Sequence, residues 1–259
     1  MAGMLVGMSG VSTNVGIIVN GIRRLLFPPA CLFCHTDLEQ ADGCCPACLE
    51  HIHIWPITVC NRCGTMLAEG AAPGPCGHCL QKPPAQQQTL SLYQYHGAVR
   101  DAILGWKLQG NEAAVRWLLQ TASPRLQQLI DRNDLLLPVP APLDRMRQSG
   151  QHHAANLARW VAGECGAEME WRLLRRQGSQ ARQSTLSGKA RRKNLRKAFT
   201  LADQHRELLQ TAHAKRLWII DDIFTTGSTV HYAALAAAKT GLPVSVLTLA
   251  RTRHRGSSI

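Results

Sequence analysis

Two adjacent carboxylates, Asp221 and Asp222, stand just ahead of a run of small hydroxylated residues, Thr225, Thr226, Gly227, Ser228 and Thr229. Carboxylates of this kind can hold sugar hydroxyls or a divalent metal. A loop of small residues at a helix start turns its backbone N–H groups outward, and the helix dipole favours an anion there. Gly227 lets the backbone approach a phosphate with no Cβ in the way. A second chemistry lies far upstream. Four C-x-x-C pairs, Cys31/Cys34, Cys45/Cys48, Cys60/Cys63 and Cys76/Cys79, supply eight thiols. Each such turn presents two thiolates to one tetrahedral metal, so eight ligands suit two structural zinc ions. Sequential pairing groups Cys31, Cys34, Cys45 and Cys48 in one site and Cys60, Cys63, Cys76 and Cys79 in the other. Interleaved pairing satisfies the same spacing.

The elements that must position the acidic pair read directly from its flanks. Leu217 to Ile220 is a short apolar strand, and Tyr232 to Lys239 is alanine-rich and helix-prone. Strand, acids, loop and helix start thus follow in one order within Arg216–Thr229. A plain buried strand, turn and core helix would leave the carboxylates merely solvated. A Walker A loop is excluded, since no G-x-x-x-x-G-K-[ST] occurs. Leu135 to Val139 and Val244 to Ala250 are further apolar strands, and Ala154 to Cys165 reads as a helix. The stretch 93–133 reads as helical after Tyr95, with one apolar stripe of Val99, Ile103 and Trp106 and another of Val115, Leu118, Leu119 and Ala122, interrupted at Pro124. Strands alternating with helices predict an α/β domain with a mostly parallel sheet, whose ligand belongs at the carboxyl ends of the strands.

The 259 residues carry a net charge of +12, so polyanions are plausible partners. The charge is concentrated: Arg172 to Lys197 holds ten Lys or Arg and no acid. Nine of the ten cysteines fall between Cys31 and Cys79, which marks a local metal-binding device. A redox C-x-x-C would normally occur once, and a disulfide framework would call for a signal peptide. The opening 22 residues are uncharged but lack a positive n-region, and Ser, Thr, Asn and Gly interrupt them, so neither a signal peptide nor a transmembrane span is expected. Val15, Ile18, Val19, Ile22, Leu25 and Leu26 fall at helical spacing instead. The expected location is the cytoplasm. The expected domains are an amphipathic helix over 1–27, a cysteine-rich module over 28–82 and an α/β domain over 83–259.

Residues 216–229 closely resemble the phosphoribosyl-pyrophosphate (PRPP) motif of type I phosphoribosyltransferases. That resemblance implies that Asp221 and Asp222 are the catalytic acids that meet the ribose 2′- and 3′-hydroxyls. It implies that Thr225, Thr226, Gly227, Ser228 and Thr229 cradle the 5′-phosphate and that Mg2+ accompanies the pyrophosphate. A cysteine-rich module ahead of such a domain is similar to the ComF/GntX family of competence-related proteins, which carry a double zinc ribbon. Further residues carry the likeness: Pro28 before Cys31; Cys76-Gly77-His78-Cys79 with Lys82-Pro83; Tyr95, Gly97 and Lys107; and Pro138-Val139-Pro140 with Arg145. Gln183, Leu186, Ser187, Arg191, Asn194, Ala198 and Phe199 match its Q-x-x-L-S…R-x-x-N…A-F segment. The chain departs from the family at Ser149-Gly150-Gln151-His152-His153, which stands where R-G-F-N-Q is usual. His152 and His153 there are either acid–base groups or a polar helix start.

The resemblance implies a type I phosphoribosyltransferase-like sheet with helices on both faces, preceded by a double zinc ribbon. It implies PRPP as a ligand, gripped in part by Arg145. It also implies a role in DNA uptake or utilisation during natural transformation, alongside other competence proteins. Single-stranded DNA is an expected partner, with Lys189, Arg191, Arg192, Lys193 and Arg196 contacting its phosphates or, alternatively, pyrophosphate. An active phosphoribosyltransferase on an unidentified acceptor and a PRPP-sensing regulator are the other two readings.

Overall fold

A computed structural model describes residues 28–142, 146–147, 150–177 and 198–253. The helix expected over 1–27, Arg145, and the cationic group Lys189, Arg191, Arg192, Lys193 and Arg196 lie outside the described residues. The chain falls into two compact units that divide between His51 and Ile52.

The first unit holds Cys31 to Cys48 and one short helix, α1 (Pro46–Glu50). The second begins with another cysteine-rich turn and α2 (Gly77–Gln81), then continues into β1 (Gln88–Gln94), α3 (Gly97–Gln109), α4 (Ala113–Leu129) and β2 (Asp134–Pro138). Next come α5 (His153–Cys165), β3 (Glu168–Met169), β4 (Leu174–Arg176), β5 (Phe199–Leu201) and α6 (His205–Thr211). β6 (Arg216–Phe224), α7 (Ser228–Ala237) and β7 (Val244–Arg251) complete it. Five strands form one parallel sheet in the order β1-β7-β6-β2-β3, while β4 and β5 make a separate antiparallel pair. The α/β class expected from the sequence is therefore the one observed.

Strand order explains where the helices go. From β2 the chain crosses by α5 to β3 in one direction, and from β6 it crosses by α7 to β7 in the other. Right-handed crossovers in opposite directions put α5 and α7 on opposite faces. Leu135, Leu137, Leu217, Ile219, Val244 and Val246 pack with Val230, Ala233, Ala234 and Ala237 of α7 in one buried layer. The alternate residues of β2 and β6, Leu136, Trp218 and Ile220, are buried too, as a strand covered on both faces requires. The crossovers diverge between β6 and β2, which makes their carboxyl ends the crevice of the sheet.

Three boundaries differ from the sequence reading. β6 continues through Phe224, with Asp221 opposite Thr248 and Ile223 opposite Ala250, so the acidic pair lies inside the ladder and not beyond its end. α7 begins at Ser228, four residues earlier than Tyr232, because Gly227 makes the turn into it at φ 72°. Pro124 does not interrupt α4, which runs through it. Its missing N–H and ring clash are outweighed by the buried face of Val115, Leu118, Leu119 and Leu126.

At the opposite end of the sheet Asp134 is 4% exposed and anchors three residues. It accepts from Arg216 Nη2 at 2.7 Å, Trp218 Nε1 at 2.9 Å and the Asp131 amide at 3.0 Å. Removing one member of a buried ion pair strands the other. Asp134→Ala is expected to lower stability by about 3 kcal/mol, read from the midpoint of urea unfolding.

Candidate functional site

β6 carries Asp221 and Asp222 into the crevice, and the loop 225–227 turns into α7 beside them. Both carboxylates are fixed by the backbone that follows: the Asp222 amide donates to Asp221 Oδ1 at 3.0 Å and the Ile223 amide to Asp222 Oδ1 at 2.7 Å. Asp222 Oδ2 forms an ion pair with Lys107 Nζ near the end of α3. Burial and then the neighbouring Asp222 charge push the Asp221 carboxyl up to about 8, against the pull of Lys107. The pair therefore sets a carboxylate ion-paired to Lys107 beside a carboxyl whose ionisation burial opposes.

The loop itself is built to stay small. Thr225 and Thr226 are exposed, and Thr226 Oγ1 lies 3.0 Å from Ser228 Oγ. Gly227 has a left-handed backbone, and a Cβ on it would sit 2.4 Å from Phe224 Cζ. Phe224 is buried beneath that turn. Gly227 at the N-cap offers no side-chain acceptor, and the first amide of α7, that of Ser228, turns to Thr226 Oγ1 at 3.4 Å.

Across the crevice, α5 begins at the segment that departs from the family pattern. His152 Nδ1 accepts the Ala155 amide at 3.1 Å and caps the helix, which bears out the helix-start reading for this residue. Burial lowers its pKa, so the acceptor form is the favoured one. His153 packs edge-on against Trp106 with ring centroids 4.7 Å apart, and burial lowers its pKa against the opposing charge of Asp222. A cavity of about 650 Å³ opens beside the ends of β2 and β3, lined by Pro138, Met146, His152, Met169, Trp171, Arg159 and Arg176.

The cysteines resolve into two tetrads. Cys31, Cys34, Cys45 and Cys48 bring their sulfurs within 4.8 Å of one another, and so do Cys60, Cys63, Cys76 and Cys79. Of the two pairings open in the sequence, the sequential one is observed. A tetrahedral zinc with bonds of about 2.3 Å sets its sulfurs about 3.8 Å apart. Cys34 and Cys45 Sγ are 3.7 Å apart, and Cys63 and Cys76 Sγ are 3.8 Å apart. Backbone amides also point at the sulfurs, as in Cys45 N to Cys31 Sγ at 3.4 Å and Cys76 N to Cys60 Sγ at 3.2 Å. Burial opposes ionisation of Cys31 and Cys60, but such amides outweigh it and bring both thiols down to about 6. Burial and neighbouring thiolates push Cys48 and Cys79 up, a crowding of like charge that a divalent cation relieves. Both sets fit structural zinc. Cys44 belongs to neither set, and burial raises its thiol to about 11. Metal analysis should find two zinc ions per chain, and Cys44→Ser should leave that count unchanged while Cys60→Ser lowers it.

β6 and the loop after it place Asp221, Asp222 and Thr225–Thr229 at one end of the sheet. Lys107 enters the site from α3, where sequence alone marked it only as part of a family likeness. The available signal was a single cation following an otherwise apolar helical stripe. Arg251, the last residue of β7, carries no comparable signal in the sequence.

A parallel sheet with a phosphate-sized loop at its crevice, joined to cysteine tetrads of zinc-ribbon type, defines the class. Residues 22–80 match the model of the double zinc ribbon domain. DNA utilization protein YhgH of Salmonella typhimurium is 30% identical over 236 residues, covering 88% of this chain and 99% of that protein. Competence protein F of Haemophilus influenzae is 28% identical, covering 85% and 96%. Competence protein ComFC of Bacillus subtilis is 22% identical, covering 83% and 80%. The chain belongs to the ComF/GntX family. No helix among the described residues is long and apolar enough to cross a membrane.

Proposed function

We propose that the protein binds PRPP with Mg2+ at the end of β6 and serves DNA uptake or utilisation, with single-stranded DNA as its second ligand. The observation that carries the PRPP reading is the arrangement of Asp221 and Asp222 in the ladder directly before the 225–229 loop and the start of α7. Asp221 and Asp222 would hold the ribose hydroxyls, and the Thr225–Thr229 backbone and hydroxyls the 5′-phosphate. Lys107 lies within reach of the same ligand, paired to Asp222 until an anion competes for it. Mg2+ supplies charge neutralisation on the pyrophosphate, and the carboxylates give it an acidic border.

The DNA reading is supported by the names of the relatives and by the cationic stretch 172–197, which leaves β4 and returns at β5. Trp171, 65% exposed and next to Arg172, offers a stacking surface. Turnover is a second reading, favoured by the cavity at the ends of β2 and β3. An acceptor there would attack C1 of the ribose, and the C1–O bond would break with its electron pair leaving on pyrophosphate. Cytoplasmic action accords with all three.

The deciding experiment titrates PRPP and Mg2+ into the wild type and into Asp221→Asn/Asp222→Asn by calorimetry. Binding that drops at least about 100-fold in the variant is expected. Equal binding by both proteins would remove the site from consideration. Pyrophosphate release with an added acceptor would select turnover. Single-strand binding that falls steeply with salt and survives the Asp changes would place DNA on a separate surface.

A further inference from the structure

Arg251 ends β7 and is 4% exposed, an unusual place for a guanidinium. Its two terminal nitrogens reach into the second cysteine turn: Nη1 donates to the Cys63 carbonyl at 2.6 Å and Nη2 to Thr65 Oγ1 at 3.1 Å. Its plane lies over the Phe224 ring, 3.9 Å from the centroid, with the Trp55 ring 5.3 Å away. Trp55 in turn donates from Nε1 to the Gly64 carbonyl at 3.0 Å. Gly64 has φ +69°, and a Cβ there would come within 2.9 Å of Arg251 Nη1, so the turn after Cys63 is shaped around this side chain. On the other side Phe224 is the ring against which Gly227 turns. The Thr252 amide donates to the Phe224 carbonyl at 3.0 Å and holds the two strand ends together.

A continuous set of contacts thus runs from Cys63 through Arg251 and Phe224 to Gly227. Charge supports it. Four thiolates around one divalent zinc carry a net charge of −2, and a buried cation beside them offsets that excess.

We propose that Arg251 is a positioning residue that ties the Cys60–Cys79 metal centre to the phosphate loop, so that zinc in this centre holds the loop in its binding geometry. The ligand arm of this proposal rests on the PRPP reading above; the zinc and loop arms do not. The tetrad at Cys31–Cys48 belongs to the other compact unit and is not part of this connection.

The test uses the full chain, zinc-loaded, with three readouts: zinc release to a chromogenic chelator, amide hydrogen exchange over residues 224–230, and PRPP titration with Mg2+. Arg251→Met should speed zinc release from one of two centres by about tenfold or more, raise exchange over 224–230 and weaken PRPP binding by about tenfold. Arg251→Lys keeps the charge but loses the fork and the flat stack, and should recover only part of each effect. Thr65→Val removes a single acceptor and should shift all three in the same direction by less, which keeps the test open should Arg251→Met fail to fold. Unchanged exchange over 224–230 in Arg251→Met, or after selective zinc loss through Cys76→Ser, would overturn the proposal. If wild type fails to bind PRPP, the ligand reading falls, and the exchange and zinc-release results still decide the coupling.

Discussion

Gly227→Ala should cost about 2–4 kcal/mol of stability and reduce PRPP binding at least about 100-fold. Two penalties combine. The backbone at Gly227 sits at φ 72°, where a Cβ meets its own carbonyl and costs roughly 1 kcal/mol or more. The new methyl would also lie 2.4 Å from Phe224 Cζ and 2.8 Å from Cε1. That ring is held in place by the Arg251 guanidinium, which lies over it at 3.9 Å from the centroid. Relief must come from lifting the loop, which would move the Thr225–Thr229 amides from the position proposed for the 5′-phosphate. Gly241 supplies a control in the same protein. It has φ +82°, yet nothing lies within 4 Å of the Cβ it would carry. Gly241→Ala pays the conformational cost alone, about 1 kcal/mol. The difference between the two variants in thermal unfolding and in titration isolates the clash. Equal effects in both would show that Phe224 does not support the loop.

Strand, acids, loop and helix were legible because each is specified by its neighbours within Arg216–Thr229. Glycine at the turn reads, from sequence, as an approach route for phosphate. Its conflict with Phe224, three residues earlier, depends on how the strand end folds back, and no local pattern carries that. The length of β6 was underestimated for a related reason. Two carboxylates look like the end of a strand, but the ladder to Thr248 and Ala250 is formed by residues far along the chain. The cysteine spacing fixed the ligand types and their number, while the choice between sequential and interleaved sets waited on the fold of each turn. Lys107 meets Asp222 only because α3 ends above the sheet, and Arg251 looked like an ordinary charged residue closing a strand. His152 and His153 were ambiguous as a pair and turn out to differ: one ring caps α5 through Ala155, and the other packs on Trp106. In each case the missing information is a contact between segments distant in sequence.

Replacing Asp221 should separate stability from binding in opposite directions. An ordinary aspartate titrates near 3.9, and this one is pushed up to about 8 by burial and by Asp222. A folded-state pKa raised above the unfolded value contributes stability that is complete below about pH 4 and is lost as pH climbs through about 8. Asp221→Asn carries no charge to bury. It should match the parent near pH 4 and exceed it by up to about 5 kcal/mol at pH 8, measured by thermal unfolding without ligand. Binding should move the other way. A ligand carrying Mg2+ favours the ionised carboxylate, so PRPP bound as proposed would displace a proton from Asp221 at pH 7. Affinity should then rise by up to about tenfold per pH unit between about pH 6 and pH 8. The same proton should appear in calorimetry as a binding heat that varies with the ionisation enthalpy of the buffer. Asp221→Asn should lose both the pH slope and the buffer dependence along with most of its affinity. A parent protein whose binding heat is the same in every buffer would show that Asp221 keeps its proton in the complex, and would assign the charged role to Asp222 and Lys107 alone.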